Sequence, residues 1–136
     1  MKEIVWGVFI QFFILIALAS SASMAKEPIS EGNLSDLTGK WEGKRYVRGG
    51  TFRTEMEIYN DTLPLKGKFI FYDVKRKGGG TYSWEFMQGM IKDGKFYVKR
   101  GQNYFKLSLH KGDGKMKLEG DQFVDGNEGT ITLYKK

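Results

Sequence analysis

From residue 37 onward, apolar and polar side chains alternate with a period of two, and the alternation stops at glycines. Residues 51–59 show it most cleanly. Phe52, Thr54, Met56 and Ile58 fall on one face, and Arg53, Glu55, Glu57 and Tyr59 on the other. Such alternation marks a strand with one buried and one wet face. Equivalent patterns predict strands over residues 39–47, 65–74, 81–91, 95–100, 104–110, 115–123 and 129–134. Between them stand Gly49-Gly50, the run from Asn60 to Pro64, the Gly78-Gly79-Gly80 triplet, Asp93-Gly94, Gly101-Gln102-Asn103, Gly112-Asp113-Gly114 and Asp125-Gly126. These residues tolerate positive φ or bond to their own backbone, as tight turns require. In residues 81–91 Tyr82, Trp84 and Phe86 share a face, but the parity becomes ambiguous around Met87-Gln88-Gly89, which predicts a bulge or bend.

Every connection is short, so consecutive strands are expected to pair as an antiparallel meander. Closing eight such strands hides both edges and buries every inward side chain. The predicted fold is therefore all-β, an eight-stranded antiparallel up-and-down barrel over residues 37–136; an open two-sheet sandwich is the other arrangement of the same strands. Residues 26–36 are polar, contain Pro28 and Gly32 and show no period, which predicts a flexible leader.

Residues 1–25 have a different character. Lys2 is their only basic side chain, the stretch from Ile4 to Ala19 is apolar except for Gln11, and small residues follow up to Ala25. This is the layout of a cleavable secretory signal peptide, with a cut before Lys26 or, at Ala22, before Ser23. The apolar stretch is shorter than the roughly 20 residues a membrane-spanning helix needs. The expected location is secreted or periplasmic, in a bacterial setting, because the 136 residues contain no cysteine to staple an exported fold or to carry a lipid. Asn33 and Asn60 head two glycosylation sequons, which would matter only in a eukaryotic secretory pathway. Lys2 and Glu3 are the only charged residues of the first 25, so the net charge of +6 belongs to the remainder.

The string Leu37-Thr38-Gly39-Lys40-Trp41-Glu42-Gly43 resembles the opening strand of the calycin superfamily, the barrels that include lipocalins, fatty-acid-binding proteins and avidins. There a Gly-x-Trp lays an indole across the closed end of the barrel, and Gly39 and Trp41 match that pair. The resemblance implies a lipocalin-like barrel, closest to the short domains of bacterial exported proteins. Lipocalins also carry an arginine near the last strand that packs on the tryptophan, and usually a helix after the barrel. Here the chain reads Tyr134-Lys135-Lys136, so only a lysine could take the arginine's place. The further tryptophans of avidin's biotin pocket cannot be placed beyond Trp84, so neither biotin nor retinoid binding is carried over.

An eight-stranded barrel is wide enough either to be filled by its own side chains or to hold one small ligand. Arg45, Thr54, Tyr82, Gln88 and Gln122 are polar residues at inward parity and, with Trp84, are the candidate ligand-binding set. Arg45 is the sharpest of these, because a buried guanidinium needs an anionic partner; alternatively it lies at a barrel mouth and reaches solvent. Glycines 39, 43, 67, 89, 120 and 129 fall at or near the same register and either complete the packing or leave a cavity.

The outer face mixes lysines with glutamates, and the Lys75-Arg76-Lys77 loop forms a basic patch. His110, the sole histidine, lies at outward parity near a strand end, and no nucleophile, phosphate loop or metal spacing accompanies it. The chain reads as a non-enzyme without a cofactor: a monomeric exported protein holding a small apolar or amphipathic molecule inside the barrel, with no nucleic-acid partner. The competing reading is an interaction module with a filled core, recognising an anionic envelope polymer, lipid headgroup or protein through its basic exterior.

Overall fold

The computed structural model describes residues 24–74 and 78–136. Residues 1–23, which carry most of the segment read as a signal peptide, lie outside the described residues, as does the basic tripeptide Lys75, Arg76 and Lys77.

After a short strand β1 (Ala25–Glu27) and a 3-10 helix (Glu31–Asp36) come eight longer strands. They are β2 (Gly39–Val47), β3 (Gly50–Ile58), β4 (Leu65–Val74), β5 (Gly80–Lys92), β6 (Lys95–Arg100), β7 (Asn103–Gly112), β8 (Lys115–Val124) and β9 (Asn127–Lys135). Each pairs antiparallel with the next, and β9 returns to pair with β2 from Trp41↔Lys135 to Val47↔Gly129. The sheet is thus a closed up-and-down barrel rather than a sandwich. Three hairpins use Asp-Gly pairs with both residues at positive φ: Asp93 and Gly94 at 54° and 72°, Asp113 and Gly114 at 51° and 72°, Asp125 and Gly126 at 53° and 83°. This backbone matches the right-handed twist of the strands it joins.

The middle of the barrel is filled with rings. Phe69 stacks on Phe105 at 4.1 Å and lies within 6 Å of Phe71, Trp84 and Phe86. The inward glycines do not hollow out this core. A Cβ on Gly43 would overlap the Thr132 carbonyl oxygen, and one on Gly120 would overlap that of Lys106. At these positions the neighbouring strand's backbone occupies the space a side chain would need, so the glycines permit tight coiling of the sheet.

Two expectations are corrected. The segment 26–36 is not a flexible leader. β1 pairs with the stretch of β7 that extends past β6, from Ala25↔Lys111 to Glu27↔Leu109. The Ile29 amide then donates to the Gly94 carbonyl at 2.9 Å. Ile29, Leu34 and Leu37 are buried against the barrel, and Lys111 bonds to Asp36 and Glu27. These apolar residues have no period because they fill a barrel end instead of lining a sheet. At that end the Trp41 indole N–H donates to the Leu37 carbonyl at 2.9 Å. The Lys135 ammonium lies over the indole, 5.9 Å from the Trp41 ring centroid, and donates to the Asp36 carbonyl at 2.7 Å.

The second correction concerns Gln88. β4 and β5 pair Gly67↔Phe86 but Leu65↔Gly89, so two residues of β5, Met87 and Gln88, face one of β4, Lys66. This bulge reverses the parity, and Gln88 is exposed on the outer surface. The amide nitrogens of both sequon asparagines are used internally: Asn33 donates to the Pro28 carbonyl at 3.0 Å and Asn60 to the Thr62 carbonyl at 3.0 Å.

Two sets of substitutions check this account by denaturant unfolding. Gly43→Ala is expected to destabilise by about 3 kcal/mol or more, because backbone must move, whereas Gly32→Ala, with only the Ser30 hydroxyl near, changes stability by less than about 0.5 kcal/mol. Leu34 is 3% exposed, and Leu34→Ala is expected to lose about 2–5 kcal/mol as a core truncation; a loss below about 0.5 kcal/mol would return residues 26–36 to the status of a leader.

Candidate functional site

In an up-and-down barrel the turns alternate between ends. The plugged end holds Trp41; at the other end meet the hairpins β2–β3, β6–β7 and β8–β9, with the facing ends of β4 and β5. There the ring-filled core gives way to a cleft with two lobes. One, of about 380 Å³, is walled by Val47, Phe52, Phe71, Val74, Tyr82 and Val124, with Arg45 and Arg48 among its polar groups. The other, of about 450 Å³, is bounded by Trp84, Arg100 and the turn residues Gly101, Gln102 and Asn103. The lobes share Phe71, Tyr82, Val124 and Asp125, so they form one mouth.

Arg45 is carried inward by β2 two residues below the hairpin and is partly buried. Its guanidinium carbon stands 4.5 Å from the Phe71 ring centroid and 5.9 Å from that of Phe52. Its Nε–H donates to the Thr54 hydroxyl at 3.2 Å, and Thr54, itself fully buried, donates onward to the Phe52 carbonyl at 3.5 Å. Burial pulls the Arg45 pKa downward, and the negative charge of Asp125 acts in the opposite sense. An arginine stays protonated under such shifts. The result is a cation held on an aromatic face by cation–π attraction and one hydrogen bond, at the floor of an apolar-walled cleft.

Of the candidate set, Arg45, Thr54, Tyr82 and Trp84 come together around this mouth. Tyr82 stacks on Phe71 at 6.3 Å, and Trp84 reaches the second lobe from its stack on Phe69 at 5.6 Å. Gln122 sits deeper, 1% exposed, with its amide nitrogen donating to the Asn127 carbonyl at 3.1 Å. Its Oε1 is buried with no hydrogen-bond partner among the described residues. Gln88 is on the outer wall, away from the rest. Alternation could not find Arg48, Arg100, Asp125 and Asn127, because they stand in or beside turns where the period of two ends. The available signal was topological: alternate turns of a meander gather at one end.

Outside the barrel, Arg53 pairs with Glu42 at 3.4 Å and Glu55 at 2.7 Å, and Lys136 pairs with Glu42 at 2.7 Å. The side-chain hydrogen bond from Lys136 holds the Glu42 carboxyl below its usual range. His110 is partly exposed on the outer face of β7, opposite Lys117 in register. Desolvation lowers its pKa below the ordinary 6.5, and the charge of Lys117 lowers it further while Glu119 opposes.

That direction is directly measurable. The single histidine ring resonance is expected to titrate below pH 6.5, and Lys117→Ala should move its midpoint upward. Because the folded pKa is depressed, the unfolded chain takes up the proton first as pH falls through the ordinary histidine range, so His110 weakens the fold there. Between pH 7.5 and 5.5 the His110→Gln variant should therefore lose less stability than the parent, and an equal loss would remove this contribution.

Comparison with known proteins finds no matching family model, no matching curated protein and no matching solved structure.

Proposed function

We propose that this chain is an exported, monomeric, lipocalin-like barrel that binds a small amphipathic anion at its open mouth, and that it acts by binding without catalysis. Export rests on the signal-like N-terminal 25 residues, and the lipocalin-like reading on Gly39 and Trp41 with the Lys135 ammonium over the indole. The observation that carries the functional reading is Arg45. A guanidinium lies over Phe71 on the floor of a cleft of about 380 Å³ whose walls are mostly apolar. Such a site suits a ligand with an acidic group and a compact apolar or aromatic body. The ring cluster around Phe69 and Phe105 occupies the middle of the barrel, so the ligand belongs at the mouth and not along the barrel axis.

The reading separates two fluorescent probes. Anilinonaphthalenesulfonate is an amphipathic anion, and N-phenyl-1-naphthylamine is a neutral molecule of similar shape. A hydrogen bond to a charged group contributes about 1.5–3 kcal/mol, so Arg45→Gln should weaken the sulfonate roughly tenfold or more. The neutral probe should change less than about twofold. Phe71→Ala should weaken both. Equal loss of both probes in the Arg45 variant would assign Arg45 to packing alone, and failure of the parent to bind either probe would overturn the mouth as a binding site.

A further inference from the structure

A second feature, independent of the cleft, lies on the outer wall of β5, β6 and β7. Met87, at outward parity with Ser83 and Glu85, is 59% exposed, and the bulge in β5 brings Met90, 43% exposed, to the same face. Register then aligns Met90↔Tyr97↔Lys106 across the three strands, and Lys99↔Tyr104↔Phe123 across β6, β7 and β8. Tyr104 and Phe123 stack at 6.0 Å, with ring planes 13° apart, and the Lys92 ammonium stands 5.3 Å from the Tyr97 centroid. The outcome is a continuous band of thioethers and rings fringed by lysines.

Its electrostatics differ from those of the wall opposite. On β2 and β3, Glu42 and Glu55 neutralise Arg53 and Lys136. Among the described residues, the recorded ion pairs include none with Lys92, Lys95, Lys99 or Lys106. Lys92 even stands directly opposite Lys95 in the ladder, an arrangement of like charges that a sheet otherwise disfavours. Carboxylates stand at the far ends of both rows, Asp121 across from Lys106 on β8 and Glu128 across from Phe123 on β9.

We propose that this wall docks on the surface of an anionic lipid bilayer, with the lysines at the headgroups and Met87, Met90 and Tyr97 entering the interface. Cations alone would suit any polyanion. The two protruding methionines decide between partners, because a hydrated phosphate or sulfate chain offers them nothing to pack against, whereas a bilayer interface buries apolar and tyrosyl groups. Each lysine facing an anionic surface strengthens binding by roughly fivefold.

Methionine oxidation by dilute peroxide, mapped by peptide mass spectrometry on the full chain, reads this face directly. Vesicles of phosphatidylglycerol mixed with phosphatidylcholine are expected to slow oxidation of Met87 and Met90 at least about fivefold, while vesicles of phosphatidylcholine alone leave it unchanged. The Lys99→Glu, Lys106→Glu double variant and high salt should each abolish the protection. Met56, 1% exposed, is the fold control, and if the double variant made it reactive the salt arm would still decide. Equal protection by both vesicle types, or none by the anionic ones, overturns the proposal. So does protection by single-stranded polythymidylate without protection by vesicles, which would reassign the wall to a polyanion.

Discussion

Closure of the sheet onto itself is the constraint on which the rest depends. Eight strands make a narrow barrel, and pairing β9 back onto β2 coils the sheet until inward-facing residues on adjacent strands compete for the same space. At Gly43 and Gly120 the competition is decided in favour of the neighbour's backbone, and no side chain fits. What room remains is taken by rings, with Phe69 at the centre of contacts to Phe71, Trp84, Phe86 and Phe105. A core assembled this way is stabilised by burial and ring packing, without disulfides to assist it.

A filled middle leaves the two ends to differ. One is sealed: the chain ahead of β2 supplies Ile29, Leu34 and Leu37, a short strand on the spare edge of β7, and the acidic partners of Lys111. Trp41 joins plug to barrel through its bond to the Leu37 carbonyl, with Lys135 above the indole. The other end keeps its hairpins spread, and the space between them is where Arg45 meets Phe71. The same closure that packs rings into the middle therefore leaves the polar groups at the mouth, each on a turn or within a few residues of one.

The outer wall follows a separate logic. Where β4 and β5 slip out of register, the strand cannot keep both faces in phase, and apolar side chains that began at inward parity emerge into solvent. Met90 is exposed for that geometric reason, next to Met87, Tyr97 and the stacked Tyr104–Phe123 pair. The proposed cleft and the proposed docking wall thus arise from different features of one sheet, its alternate turns and its bulge.

Much of the architecture was legible in the residues alone. Period-two alternation marked the barrel strands β2 to β9, Asp-Gly pairs marked three hairpins, and short connections led to a closed meander, because each of these depends on local backbone geometry. Arg45, Thr54, Tyr82 and Trp84 were likewise legible as inward residues, since parity on a regular strand fixes the face. Three matters were decided only by the tertiary structure: that Ile29, Leu34 and Leu37 plug an end, that Gln88 turns outward, and that Arg48, Arg100 and Asp125 join Arg45 at one mouth. The reason is common to all three. Alternation records which face a side chain takes, but what it meets there is set by strands far away in the chain, and those distances exist only once the barrel has closed.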